Sequence, residues 1–384
     1  MASKKILIVV NDLGYFISHR LPIAVAAQQA GYVVHIAYGA LGRASESALT
    51  DHALILHDVP IQRGGTDPLS DLRSLFLLWR LFLRVRPDLV HLVTIKPILY
   101  GGIAARLVRV PAVVSAIAGL GSVITGQTGV KASFLRRVIK LLFRLAMGHS
   151  KQTLIFQNPD DRDQVLAMKY ASPAQTRLIR GAGINLVKCP VLPEPEGTPI
   201  VVMASRLLRD KGVLEFIEAA HILRGRGISA RFWLIGEPDL ANPVSVTTED
   251  VNAWRSAGIV ECLGHRLDVP SLYAQAHIVT LPSYYGEGLP KSLIEAAACG
   301  RAVVTTDMPG CRDAIVPNVS GLLVPPRDAL ALAQALAHLI HSAGLRAAMG
   351  KAGRDLAERD FNIDHVVVAH LLIYQELLEP CALR

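Results

Sequence analysis

Aromatic and charged residues are the scarce classes in this chain of 384 residues: Phe, Trp and Tyr make up 5% and Asp, Glu, Lys and Arg 19%. So few aromatics, with no recognisable nucleic-acid module, argue against RNA or DNA as a partner. Cysteine is also sparse. Cys189, Cys262, Cys299, Cys311 and Cys381 are odd in number, scattered and without paired metal spacing, which fits a reducing cytoplasm. No stretch reaches the ~20 uninterrupted apolar residues of a membrane span. The nearest, LRSLFLLWRLFLRVR at 72–86, is broken by Arg73, Arg80 and Arg84. The opening MASKKILIVVND has too short an apolar run for a signal-peptide core and reads as a first strand. No GxGxxG follows it, which weighs against a dinucleotide dehydrogenase, and no DxD carboxylate pair stands at an obvious strand end.

What the chain does hold is apolar. Hydrophobic residues reach 51% and the mean hydropathy is +0.35, as fully buried parallel strands or a membrane-touching surface would require. The formal charge of +8 calls for anionic partners, and with nucleic acid set aside these are phosphates or lipid headgroups. The length exceeds one core, so two domains are expected.

Short apolar runs alternate with helical stretches in the first half: KILIVV, YVVHIAY, LILHDV, LVHLV, AVVSAI and TLIFQ. This is the rhythm of strand, crossover helix and parallel strand. After the Pro-rich stretch at 186–199 it restarts with IVVMA, RFWLI, GIVEC, HIVTL, AVVTT and GLLV. The fold class is therefore α/β, with two Rossmann-like domains, 1–187 and 188–360, facing across a cleft. A terminal helix in 361–384 is expected to pack back across both. Ligands of such sheets bind at the carboxyl ends of the strands.

One such end carries SYYGEGLPKSLIEAAACG, 283–300. Pro290 suits a first helical position and Gly300 a helix end, so a helix is expected over 290–298. Its first amides carry the positive end of the helix dipole, and Gly286 and Gly288 let the backbone approach an anion. Glu287 sits at the mouth. Glu295 lies roughly 8–10 Å further along, so a ligand reaching both is long and polar. At a corresponding strand end stands SRLLRDKG, where Arg206 and Lys211 offer a forked guanidinium and an ammonium to a diphosphate. Arg209 is expected at the solvated loop tip.

SRLLRDKG followed by YYGEGLPKSLIEA resembles family four of the retaining glycosyltransferases, with the two-domain GT-B fold. The likeness runs from residue 4 to about 375 and includes GEPDLANP, CLGHRLDVP, TDMPGCRDAI and GLLVPPRD. Within that family it is most similar to bacterial enzymes of capsule, O-antigen and other lipid-linked saccharides. The resemblance implies that 1–187 binds the acceptor and 188–360 the donor. It gives Arg206 and Lys211 the donor diphosphate, and gives Glu287 the donor sugar, with the backbone at Gly286, Gly288 and Leu289. Glu295 would take the ribose and the backbone at Gly264, His265 and Arg266 the nucleobase. Gly14, in NDLGYF, would bring a first-domain amide near the diphosphate. His19, Arg20 and Lys96 are candidates for acceptor or auxiliary contacts, and His91 and His149 for polar help.

The implied activity is metal-independent and needs no cofactor: retaining transfer from a nucleoside diphosphate sugar, UDP-linked, to a polyprenyl-diphosphate-linked saccharide. Its implied setting is cytoplasmic, peripheral on the inner face of the membrane. A nucleotide-sugar epimerase of the same fold and a non-catalytic nucleotide-sugar- or lipid-binding protein are the rival readings. One departure stands out. Ala118 occupies the position where many relatives carry a His that meets the sixth carbon of the donor sugar, which points to a donor lacking the 6-hydroxyl unless Ser115 or Ser122 substitutes. Contact with an anionic membrane is expected from 131–151, where Arg137, Lys140 and Arg144 share one stripe and Phe134, Val138, Leu141 and Leu145 another. The 72–86 helix is expected to bury itself against a sheet.

Overall fold

The computed structural model describes residues 3–39, 49–61, 67–120, 140–239 and 242–379. The chain divides into two units, residues 1–182 with 364–384, and residues 183–363. The division falls at 182/183 instead of 187/188. Its local cause is a pair of backbone bonds, Ile184 N to Phe361 O (2.7 Å) and Ile363 N to Ile184 O (3.0 Å), which tie residue 184 into the second unit.

The first unit holds seven parallel strands in the order β3-β2-β1-β4-β5-β6-β7. They are β1 (Lys5–Val10), β2 (Val33–Tyr38), β3 (Ile55–Asp58), β4 (Leu89–Val93), β5 (Ala112–Ile117), β6 (Gln152–Phe156) and β7 (Thr176–Leu178). The central strands are buried on both faces, which is why they read as continuous apolar runs without alternation. The edge strand β7, TRL, has no such run and was not anticipated. Helices α1 (Leu13–His19), α2 (Leu21–Gln29), α3 (Pro68–Val85), α4 (Ile95–Val108) and α5 (Pro159–Ala167) lie between strands, and a helix at Ile363–Leu378 completes the unit.

α3 departs from expectation. Asp67 caps its start, and it buries Ser74, Leu78, Leu81, Phe82 and Val85 but leaves Leu69, Leu72, Phe76 and Leu83 exposed. One face packs; the other does not. Of the 131–151 stretch, Arg137, Phe134 and Val138 lie outside the described residues. Residues 140–146 are helical, with Lys140, Leu141, Arg144 and Leu145 exposed and Phe143 buried. Among the described residues no helix is long and apolar enough to cross a membrane.

The second unit holds six parallel strands in the order β10-β9-β8-β11-β12-β13. They are β8 (Ile200–Ala204), β9 (Arg231–Ile235), β10 (Glu261–Gly264), β11 (Ile278–Leu281), β12 (Ala302–Thr306) and β13 (Gly321–Val324). GIVEC contains less strand than expected, because Gly258 is in the left-handed region (φ 63°) just after the helix Thr248–Ser256 ends, and the ladder begins only at Glu261. In this unit α6 (Val213–Gly225) follows β8, and the helix Lys291–Ala298 follows β11. Pro290 is the N-cap of the latter (φ −63°, ψ 120°), one position earlier than expected, with no side-chain cap.

Candidate active site

The strand order of the second unit reverses between β8 and β11, and open α/β sheets take ligands at such a switch point. SRLLRDKG follows β8 and PSYYGEGLP follows β11. One carbonyl joins the two loops. Asp210 O accepts the amides of Tyr284 (3.0 Å) and Tyr285 (3.2 Å), and Ser283 Oγ lies 3.1 Å from it. The same hydroxyl is 2.9 Å from Glu287 Oε1, while Thr306 Oγ1 donates to Ser283 O. Glu287 is thus held by its own loop and by Lys211, whose ammonium pairs with Oε1 and sits 5.6 Å from the centre of the Tyr285 ring.

Two glycines permit this closeness. A Cβ on Gly212 (φ 80°) would stand 2.2 Å from Pro282 O, and one on Gly310 (φ 79°) 2.4 Å from Gly288 O. Both positions also have backbone angles that L side chains rarely adopt.

Arg206, in the same loop as Lys211, is half exposed, with Nη1 2.9 Å from Asp239 Oδ2. Burial raises the Asp210 pKa, and Glu287 adds to that while Lys211 and Arg206 oppose it. Its Oδ1 has no hydrogen-bond partner. Lys211 and Arg206 therefore each face a carboxylate, and a diphosphate can replace those carboxylates with charge-assisted hydrogen bonds of its own. Arg209 is exposed, as expected.

Glu295 lies farther along the Lys291–Ala298 helix, with Oε1 3.5 Å from Lys291 Nζ, and burial raises its pKa. Gly264 ends β10 in the left-handed region (φ 67°), and the next amide, of His265, donates to Glu237 Oε1 at 3.4 Å. The Arg266 side chain is engaged by Asp268 at 2.8 and 2.6 Å, which leaves its backbone as the part suited to a base. Sequence reasoning missed Asp210, Ser283, Asp239, Thr306 and Gly310 as site builders. Asp210 and Ser283 adjoin Lys211 and the Gly-Glu-Gly loop, and Asp239, Thr306 and Gly310 fall within GEPDLANP and TDMPGCRDAI, stretches that carried the likeness but no role for these residues.

The first-unit candidates behave differently from one another. Gly14 lies in the first turn of α1, not in a loop, and Asp12 Oδ1 caps that turn by accepting the Tyr15 amide at 2.7 Å. His19 stacks on Tyr15 at 4.1 Å, with Ser18 Oγ 2.6 Å from Nδ1. Arg20 is not an acceptor contact: its side chain is 1% exposed, and its charge acts on the buried His91, His370 and Tyr374. Lys96 is drawn to Asp71 at 3.0 Å and braces α4 against α3. His91 Nδ1 lies 2.5 Å from Tyr374 Oη, and His149 Nε2 2.8 Å from Val110 O, so both imidazoles serve the interior. Ala118 follows β5 half-buried, Ser115 is already bonded by Gln152 Nε2 at 3.0 Å, and Ser122 is outside the described residues.

Two doubly wound parallel-sheet units in one chain, one carrying charged loops at its switch point, have the α/β architecture of the GT-B glycosyltransferases. Residues 5–158 match the family described as Glycosyl transferase 4-like and residues 189–356 the one described as Glycosyl transferases group 1. The N,N'-diacetylbacillosaminyl-diphospho-undecaprenol alpha-1,3-N-acetylgalactosaminyltransferase of Campylobacter jejuni is 31% identical over 83% of this chain and 84% of its own. The UDP-Gal:alpha-D-GlcNAc-diphosphoundecaprenol alpha-1,3-galactosyltransferase of Escherichia coli is 26% identical over 77% of each. Sucrose-phosphate synthase of Thermosynechococcus elongatus shares the fold, with a TM-score of 0.77 at 20% identity over 97% of this chain and 99% of its own. The chain belongs to the family-four-like glycosyltransferases, and it is an enzyme.

Proposed function

We propose that this enzyme transfers a sugar, with retention and without a metal, from a UDP-linked donor to a saccharide carried on polyprenyl diphosphate, working at the inner face of the cytoplasmic membrane. The observation that carries this reading is the pairing of Lys211 with Glu287 at the switch point, where the Asp210 carbonyl ties the two loops together and Lys211, Glu287 and Arg206 all act on the Asp210 carboxylate. Lys211 and Arg206 neutralise the diphosphate as the glycosidic bond breaks, the role a divalent cation has elsewhere. Glu287 holds the donor sugar, Glu295 the ribose hydroxyls, and the backbone from Gly264 to Arg266 the base. A donor phosphate oxygen takes the acceptor proton, so no protein base is required. The acceptor class is supported by the diphosphoundecaprenol substrates in the names of both relatives.

The sugars those names print, acetylgalactosamine and galactose, both bear a 6-hydroxyl, against the preference for a 6-deoxy donor that Ala118 suggests. A buried hydroxyl without a partner costs roughly 1–3 kcal/mol, so direct competition of matched 6-deoxy and 6-hydroxy donors should favour the 6-deoxy sugar by about tenfold or more. The reaction itself is tested by supplying UDP-sugars with a polyprenyl-diphosphate saccharide in chelator and assigning the anomeric configuration of the product. An elongated glycolipid with the donor's configuration is expected. An epimerised donor formed without acceptor would make the enzyme an epimerase.

A further inference from the structure

The first unit leaves α3 half uncovered. At about 100° per residue, the exposed arc opposite its buried face carries Leu69, Leu72, Phe76 and Leu83 within about 60° of one another, and Arg73, Arg80 and Arg84 fill the adjoining ~40°. The exposure is substantial: 79% for Leu69, 63% for Leu72, 49% for Phe76 and 45% for Leu83. The two stripes meet, since the Arg80 guanidinium lies 5.8 Å from the Phe76 ring centre, and that ring is 5.6 Å from Trp79.

The C-terminal half of α3 borders a groove of about 440 Å³ against the edge strand β3. His57, Arg80 and Arg84 line it together with Leu56, Leu77 and Leu81, and Asp58 is the carboxylate present. Arg84 Nη2 stands 3.4 Å from His57 Nδ1, which can only accept from it, and His57 Nε2 lies 2.9 Å from His35 Nδ1, so the imidazole positions Arg84 at the groove. Isolated exposed leucines are ordinary, but four large apolar side chains on one helical stripe form a patch of the kind that marks an interaction site. A protein partner's interface core is depleted of charge. A bilayer surface takes an apolar stripe and a basic flank side by side, and anionic lipid complements the three arginines and the net charge of +8.

We propose that α3 and the groove beside it dock the first unit on an anionic lipid bilayer. Leu69, Leu72 and Phe76 enter the acyl boundary, and Arg80 and Arg84 receive a lipid phosphate. The inference draws its biological sense from the lipid-linked acceptor proposed above, and it places docking on a different helix from the 131–151 stretch.

The test is sedimentation of the full chain with vesicles of phosphatidylcholine alone and of phosphatidylcholine with phosphatidylglycerol. Wild type should partition onto the anionic vesicles about tenfold or more in excess of the neutral ones. Each cation near a charged surface contributes about fivefold, so Arg73→Ser, Arg80→Ser and Arg84→Ser together should cost on the order of a hundredfold. Leu72→Ser with Phe76→Ser should cost about tenfold. If either combination melts early, Arg80→Glu alone probes the same contact and should weaken binding by tenfold or more. Wild type that ignores anionic vesicles, or folded variants that bind them unchanged, overturns the proposal. Transfer to a detergent-solubilised acceptor is measured in parallel: its absence beside intact vesicle binding strikes the proposed reaction alone, and the reverse strikes docking alone.

Discussion

Two clusters of polar side chains, one in each unit, are built on opposite plans. In the second unit Lys211, Glu287, Arg206 and Asp239 sit at loop ends, partly open to solvent and paired with opposite charge. A ligand phosphate can exchange with a carboxylate there at modest desolvation cost. In the first unit Arg20, His91, His370 and Tyr374 are sealed inside. Burial, aided by the Arg20 charge, lowers the His370 pKa to about 3; burial first, then His370 and Arg20, holds His91 well below its usual value. Arginine belongs to both: Arg206 meets a carboxylate at the surface in one place, and in the other Arg20 acts on the buried His370 and Tyr374 of the terminal helix Ile363–Leu378. Access to solvent makes the difference.

The largest effects that sharpen this contrast should come from the open cluster. Lys211→Ala and Arg206→Ala should each lower kcat on the order of 10²-fold or more, because the charge they meet grows as the leaving diphosphate departs. Their melting temperatures should stay close to wild type. Near-normal turnover in folded protein would remove both residues from the site.

Glu287→Gln and Glu295→Gln come next and should separate kinetically. Sugar contact is near the breaking bond, so Glu287→Gln should reduce kcat by about tenfold, whereas Glu295→Gln should raise the donor KM with kcat little changed. Equal effects on both parameters would dissolve the distinction between sugar and ribose.

For the sealed cluster the effect should appear in stability instead of turnover. Tyr374→Phe leaves His91 Nδ1 buried without its partner, which costs about 1–3 kcal/mol. Thermal melting should fall by several degrees while donor KM holds. A lost KM with unchanged melting would reverse the roles of the two clusters.

The sealed cluster also predicts a pH dependence. His370 is neutral when folded down to about pH 3, but in the unfolded chain it titrates near the ordinary histidine value of 6.5. Below pH 6.5 the unfolded state therefore binds more protons, and the stability from this group, complete above that pH, drains away as pH falls toward 3. Melting curves taken across this window should show a shallower decline for His370→Phe than for wild type. Parallel declines would mean that His370 titrates alike in both states.

The fold was legible because parallel strands buried on both faces are written as unbroken apolar runs, such as ILIVV in β1 and IVVMA in β8. Two elements were not. β7 is three residues at a sheet edge and buries too little to need apolar side chains. The burial of α3 was overestimated because 72–86 is rich in leucine on all sides, and only packing distinguishes Leu78, inside, from Leu72, outside. In the site, Arg206, Lys211, Glu287 and Glu295 were readable from two local motifs. Asp239, Thr306 and Gly310 were not, because each reaches the loops from a different part of the chain.

The sequence by itself determined the two α/β units, the family, and the charged residues of the donor loops, since these follow from periodicity and from motifs whose members are close along the chain. Only the tertiary structure decided that Arg20 is interior, that Lys96 is taken by Asp71, and that α3 shows a basic, apolar face to the outside. Burial and partnership depend on residues distant in sequence: Arg20 acts on His370, and the Asp210 carbonyl gathers amides from Tyr284 and Tyr285. Such pairings arise when separate elements pack, and no local pattern contains them.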